Sequence, residues 1–516
     1  MPPKGRPRKK RRTVESDEEI EAAEHDTSSG LTPSTRHLPP DSSSIPTLSV
    51  IATRIFAVNF RKLLGANRHL VEKNLQRLPD VVIPKVFAML SVSCPGLLHA
   101  KFIEKHFIRG PIVILTDQLP GVKEPTISML AQLSSGSTIR HLELCGFDYP
   151  DVLFESALKN MSSLRVLNLR NCSNVGVKTM SAIANRCRQI TVLNLNYTAV
   201  TPASLAPVLL SCTHIEVLKL AGISNWTDAT FAKFLGGIEH RPNLQLAELR
   251  TLKLRQTSLS DPSIRALVAL CPGLQRLDIA STLVLHPLWL TVAPTPPPLQ
   301  KLSLTSNCVS NSDILDLIPH FPQLRILHLG ALGQRQHQSS RVAMGQSSAL
   351  TFTNETLIRL TDILEKFAHL ESVSLVANAK LCLTERRDGA MAMADFIARV
   401  GRKCKSLNFA GITSLRSTEL SGLVAETAEQ GPPRLRHLSL NYTDVDDNAA
   451  PFISSCSLLE TLEVAGTKFT SNLRSSKKLG AGLFPIIDAC GKVEVLDVTG
   501  CRGVRVVDRR RFFEVR

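Results

Sequence analysis

The stretch LNLNYTAV, Leu193–Val200, returns as LSLNYTDV at Leu438–Val445. The likeness runs on past both copies. TPASLAPVLLSCTHIEVLKLAG follows the first and DDNAAPFISSCSLLETLEVAG the second. Each continuation holds an apolar amphipathic stretch, a cysteine and a further strand pattern (Ile215, Leu218, Leu220; Leu459, Leu462, Val464). A catalytic motif does not carry its spacing onward over a whole unit. A structural repeat does, and self-similarity at a fixed period is the mark of a solenoid.

The pattern apolar–x–x–apolar–x–apolar begins at residues 139, 164, 190, 215, 249, 274, 299, 324, 370, 404, 435, 459 and 493, which makes 13 units. Their separations are 25, 26, 25, 34, 25, 25, 25, 46, 34, 31, 24 and 34 residues. The short ones match a leucine-rich repeat, whose period is roughly 20–29 residues. The long ones hold insertions, chiefly 330–354 and 377–395, and inserts of this kind map to loops on one face. PIVILTD (111–117) reads as a degenerate first strand. In each unit the apolar positions point into the solenoid and the residues between them face the concave side. Parallel strands need crossovers, and VKTMSAIANRC (177–187), DPSIRALVALC (261–271) and NETLIRLTDILEKF (354–367) supply helical ones. A single repeat cannot bury its own face, so neighbours must stack. The expected fold is an α/β leucine-rich-repeat horseshoe over 111–505, with a parallel inner sheet and outer helices. A helical cap (49–110) precedes it and a basic tail or cap (506–516) follows.

The cysteines keep step with the repeat. Cys187, Cys212, Cys271, Cys456 and Cys490 each lie three residues before the first apolar strand position, and Cys145, Cys172 and Cys501 fall just after strands. No C-x-x-C occurs and no zinc-finger spacing is present, so no metal and no cofactor is expected. Thiols so placed are small apolar core residues, which implies a reducing compartment. The pattern resembles the cysteine-containing, ribonuclease-inhibitor-like subfamily of leucine-rich repeats common in F-box proteins.

The chain has 516 residues, 43% of them hydrophobic, and a formal charge of 61 − 45 = +16. No apolar h-region opens it. Its longest uncharged run, between Asp278 and Lys301, holds Pro287, Pro294, Pro296, Pro297 and Pro298, so no membrane span is expected. Residues 1–48 are rich in Pro, Ser and charge and read as a disordered tail. KGRPRKKRR (4–12) holds seven basic residues and ESDEEIEAAEHD (15–26) seven acidic ones. Arg8, Lys9, Lys10, Arg11 and Arg12 form a monopartite import signal for importin, which places the protein in the nucleus as well as the cytoplasm. Gly5, Arg6 and Pro7 resemble an AT-hook core for the narrow minor groove of A·T-rich DNA. Ser16, in SDEE, resembles an acidophilic-kinase site whose phosphorylation would tune the basic block.

LPDVVIPKVFAML (78–90) resembles the opening of an F-box. Pro79 can start a helix, and Ile83, Val86, Phe87 and Leu90 then share one apolar face. The resemblance implies that Leu78, Pro79, Ile83, Val86, Phe87 and Leu90 hold the Skp adaptor of a cullin ubiquitin ligase. That role needs Val86 and Phe87 exposed; a plain solenoid cap needs them buried.

No Walker loop, G-x-G-x-x-G before a helix, G-x-S-x-G or H-E-x-x-H is present, so the chain does not read as an enzyme. The residues between the second and third apolar positions form a polar row of mixed sign. Asn168, Asn194, Lys219, Lys253, Asp278 and His328 belong to it, with Arg170 and Arg255 near its basic centre. A nucleic-acid groove would be basic along its length and interleaved with aromatics. This row suits a protein target with an acidic or phosphorylated segment. The F-box resemblance implies a nuclear substrate-recognition subunit of an SCF-type ligase. The layout of charged tail, helical lead-in and cysteine-containing repeats also resembles the fungal leucine-rich-repeat proteins of nucleotide excision repair, which implies a chromatin- or repair-associated scaffold without a ligase role.

Overall fold

The computed structural model describes residues 36–37, 47–119, 121–132, 138–238, 245–292, 296–331, 352–383, 392–425, 431–471, 482–505 and 508. The import signal, the AT-hook core, Ser16, residues 332–351 and 384–391 of the two insertions, and most of the C-terminal tail lie outside them.

One sheet of 15 strands organises the chain. Its first strand in sequence, β1 (Arg36–His37), runs antiparallel to the last and closes that edge. Then come β2 (Ile112–Thr116), β3 (His141–Cys145), β4 (Val166–Asn168), β5 (Val192–Asn194), β6 (Val217–Lys219), β7 (Thr251–Lys253) and β8 (Arg276–Asp278). β9 (Lys301–Ser303), β10 (Ile326–His328), β11 (Ser372–Ser374), β12 (Ser406–Asn408), β13 (His437–Ser439), β14 (Thr461–Glu463) and β15 (Val495–Asp497) complete it. β2 to β15 are parallel and in sequence order, and helices such as Val177–Arg186, Pro202–Ser211 and Asn354–Leu364 return the chain between them. The degenerate first strand is real: Ile112–Thr116 pairs with His141–Cys145 over its whole length.

The register stacks one leucine on the next. Leu142, Leu167, Leu193, Leu218, Leu252, Leu277 and Leu302 are successive partners and all fully buried. The repeat cysteines sit in the same core. Cys187, Cys212 and Cys490 cap the ends of their helices, and burial pushes Cys187 up to about 12 and Cys212 and Cys490 to about 11. These thiols pack as apolar groups.

Each strand leaves the floor through the same turn. Gly146, Asn171, Tyr197, Gly222, Gln256, Ser281, Ser306, Ala331, Ala377, Gly411, Tyr442, Gly466 and Gly500 occupy the same position of successive units, and all have positive φ. A left-handed non-glycine residue costs roughly 1–2 kcal/mol, offset here by ladder bonds. Tyr197 N–H donates to Ala221, Gly222 N–H to Arg255 and Gln256 N–H to Ala280, so each turn is tied to its neighbour. Carboxylates at helix starts tie the outer side. Asp151 accepts from the backbone of Gly176, Lys178 and Thr179 at the next helix start, and Asp228 accepts from Ser260 and Ser263. Asp446 and Asp447 also bridge repeats, to Ser417 and to Thr470.

Three helices cover the apolar end of the solenoid before β2: α1 (Leu48–Gln76), α2 (Ile83–Ser93) and α3 (Ala100–His106). α1 breaks at Asn67, whose Oδ1 accepts the Leu70 N–H at 3.0 Å and starts the second half. α2 begins at Ile83 with Pro84 in its first turn, not at Pro79, which lies in the preceding turn. Proline is tolerated at that first turn because the N–H it lacks has no helical partner there.

Candidate functional site

The open surface of the horseshoe is the concave floor, made of the alternate strand residues that do not enter the core. β3 shows the rule: Leu142 and Leu144 are buried, while His141, Glu143 and Cys145 are half-buried on the floor. Strands lie about 4.8 Å apart, so floor residues form rows. One row runs Ile114, Glu143, Asn168, Asn194, Lys219, Lys253, Asp278, Ser303, His328. A second runs Ile112, His141, Val166, Val192, Val217, Thr251, Arg276, Lys301. Arg170 and Arg255 follow in the position just after their strands.

The structure gives several of the expected target-binding residues a structural duty. Asn168, Asn194 and Asp278 each accept, through Oδ1, the backbone N–H two residues on, at 3.2, 3.1 and 3.1 Å. That bond ends the strand and sets up the left-handed turn. Asn168 also donates to Glu143 Oε2 at 3.2 Å, and His141 Nε2 meets Glu143 Oε1 at 2.7 Å. Asn194, Lys253 and His328 are only 8% exposed. Lys219, Asp278, Arg170 and Arg255, like Asn168, are half-buried and keep part of their surface open.

Two cations escaped the sequence reading. Arg276 and Lys301 pair side by side in the second row, next to Lys253 and Asp278 in the first. The signal was present, because strand alternation puts the residue before the central leucine on the floor as surely as the one after it. The same rule picks out Val166, Val192 and Val217. Between β6 and β9, five cations (Lys219, Lys253, Arg255, Arg276, Lys301) surround one carboxylate, Asp278. Between β13 and β15 the floor carries Glu463 and Asp497.

The expected adaptor face is not a surface. Ile83 (1%), Val86 (4%), Phe87 (7%) and Leu90 (0%) are all buried. Phe87 stacks on Phe107 with ring centres 4.8 Å apart, and Leu78 packs against the same core. Only Pro79 of the six stands exposed. Arg109 locks this corner: its guanidinium donates to the Leu75 and Leu78 carbonyls at 2.8 and 3.1 Å and to Asp80 at 3.3 Å. The apolar side chains the cap does expose lie elsewhere, at Leu48, Ile55, Val58, Leu63 and Leu70 of α1 and at Val81 and Val92. A shallow groove beside them is lined by Val58, Arg61, Cys94 and Pro95.

Among the described residues no group of three or more His, Cys, Asp or Glu side chains is placed to hold a metal ion. No described helix is long and apolar enough to cross a membrane. The fold is a leucine-rich-repeat solenoid.

No protein-family model matches the chain, and no curated protein matches it. Among solved structures it is similar to a chain of the Rad7–Elc1 complex of yeast, at 16% identity and a TM-score of 0.47, covering 84% of this chain and 98% of that one. It is also similar to an internalin of Listeria monocytogenes, at 14% identity and a TM-score of 0.38, covering 74% and 91%. Both likenesses are distant.

Proposed function

We propose that this chain is a nuclear protein-binding scaffold serving chromatin or DNA-repair assemblies, rather than the substrate-recognition subunit of an SCF-type ligase. The burial of Val86 and Phe87 carries the choice. An adaptor face on Ile83, Val86, Phe87 and Leu90 would require α2 to leave the cap. Exposing four such side chains costs about 1.5–3 kcal/mol each, roughly 6–12 kcal/mol together, and takes them out of the cap core that they fill. The floor supports a protein partner: its charge changes sign along the arc, and Glu143 and Asp278 would repel a nucleic-acid backbone. Nuclear entry rests on Arg8–Arg12.

The test is affinity capture from nuclear extract with the full chain, alongside direct binding to purified Skp adaptor. The expected result is retention of chromatin or repair proteins and no complex with the adaptor. A stable adaptor complex, or cullin among the captured proteins, would overturn the reading.

A further inference from the structure

We infer that the concave floor from β2 to β9 binds an extended protein segment whose apolar residues are followed by a run of carboxylates. This rests on the scaffold reading and adds the chemistry of the partner.

The repeat itself does not dictate what the floor carries. The strand position that holds Ile112, Val166, Val192 and Val217 holds Arg276 and Lys301 two or three repeats later, and then Ile326, Ser372 and Ser406. The sheet's inner side is already filled by the leucine ladder, so the fold gains little from β-branched residues on the wet side. Three of them are nevertheless grouped: Val166, Val192 and Val217 are half-exposed on the neighbouring strands β4 to β6, with Ile112 and Ile114 on β2 beyond His141 and Glu143. A contiguous apolar strip on an otherwise polar surface is the composition of an interface core.

The cations are grouped as well, and they begin where the strip ends. Val217 and Lys219 sit on the same strand, β6. From there Lys219, Lys253, Arg255, Arg276 and Lys301 outnumber Asp278 five to one. Lys253 and Lys301 are 8% and 6% exposed, so their charges are held within the floor rather than in open solvent. Charges held this way are screened less by salt than free surface ones, so carboxylates laid over them gain more.

Size and chemistry narrow the occupant. β2 to β9 spans seven strand spacings, about 34 Å. An extended chain covers 3.3–3.6 Å per residue, so about ten residues lie along the zone. None of the described strand rows on the floor carries a Phe, Tyr or Trp ring for base stacking, which favours a peptide over nucleic acid.

The experiment is fluorescence anisotropy of the full chain with three labelled peptides of equal length. One carries Val/Ile residues followed by Asp/Glu, one the apolar half joined to Gly/Ser, and one the acidic half joined to Gly/Ser. The first should bind at least about tenfold tighter than either half, a gain of about 1.4 kcal/mol. Lys219→Glu, or Lys253→Gln as a milder alternative, should weaken the bipartite and acidic peptides and leave the apolar one unchanged. Val192→Ser/Val217→Ser should do the reverse, each variant being checked for an unchanged circular dichroism spectrum. Raising salt from about 0.1 M to about 1 M shortens the Debye length from about 10 Å to about 3 Å and should weaken only the peptides that carry acid. Equal binding of the acidic and bipartite peptides, or binding indifferent to these substitutions, would overturn the inference. So would tighter binding of a single-stranded oligonucleotide of equal charge. If the nuclear proteins captured by the wild type stay bound to Lys219→Glu, the inference falls and the scaffold reading stands. Cullin capture sinks the scaffold reading instead.

Discussion

Asn196, Tyr197 and Thr198 each hold a different part of one turn. Asn196 Oδ1 accepts the Ala221 N–H of the next repeat at 2.8 Å, and Thr198 Oγ1 donates back to Leu195 O at 2.8 Å. Tyr197, at φ +58°, lays its ring over Gly222, and its hydroxyl donates to Gln256 Oε1 one repeat further, at 2.9 Å. The second copy repeats the plan: Asn441 accepts from Ala465 at 2.7 Å, Thr443 bonds Leu440 O at 2.7 Å, and Tyr442 covers Gly466. This is why NYT is followed one repeat later by Ala-Gly in both places. The tripeptide was legible as repeated, but its reason was not, because the partner of Asn196 lies 25 residues away and that of the Tyr197 hydroxyl 59. Gly222 gives the sharpest check. A Cβ there would stand 2.1 Å from Tyr197 Cε1, in a backbone at φ +68°. Gly222→Ala should therefore cost about 1–3 kcal/mol, read as a lowered melting temperature. Tyr197→Ala/Gly222→Ala should regain the part due to the ring and keep the part due to the backbone. A Gly222→Ala chain as stable as wild type would refute the stacking account.

At the scale of elements, periodicity exposed what the sequence repeats and hid what it does only once. Thirteen strands followed from one pattern because every unit buries the same three positions. The cap has no repeat to average over, and its apolar face at Ile83, Val86, Phe87 and Leu90 fits a docking helix and a buried helix equally well. Only the neighbours decide, and Phe102, Phe107 and Leu75 cover it. The cap is also tied by charge. Glu72, in the second half of α1, takes a 2.7 Å bond from Lys105 of α3 and a 2.8 Å bond from Arg68. Those bonds, Lys105 first, hold its carboxyl down at about 2 from an ordinary 4.5. A carboxylate depressed by folding adds stability above its unfolded pKa, and that contribution is lost as pH falls from about 4.5 toward 2. His106, fully buried 3.8 Å from Glu72, is pushed down by burial and stays neutral beside it. Glu72→Gln should loosen α3 at neutral pH by up to about 1 kcal/mol, the partners being exposed. The gap from wild type should close as pH falls toward 2. Hydrogen exchange of the α3 amides reads this directly, and a gap independent of pH would sink the assignment.

The whole molecule is a stack in which each repeat packs chiefly on its neighbours, and such arrays gain stability one interface at a time. The cysteines allow this to be watched. Cys172, Cys187, Cys212, Cys271, Cys404, Cys456, Cys490 and Cys501 are buried and spread along the array. Burial pushes Cys271 and Cys404 up to about 12, so neither forms an appreciable thiolate until its repeat opens. Among the described residues the outer edge of β15 pairs with the two-residue β1, whereas three helices cover the other end. Opening should therefore start from the C-terminal side. In pulsed alkylation at rising denaturant, Cys490 and Cys501 should label first, then Cys456 and Cys404, with Cys271 and Cys212 protected longest. Mass spectrometry of the labelled peptides gives the order. If all eight thiols label together, the horseshoe unfolds as one cooperative unit and the nearest-neighbour account fails. If Cys172 and Cys187 lead, the helical cap is the weak end, and the contact of α2 with the first strand contributes less than its burial implies.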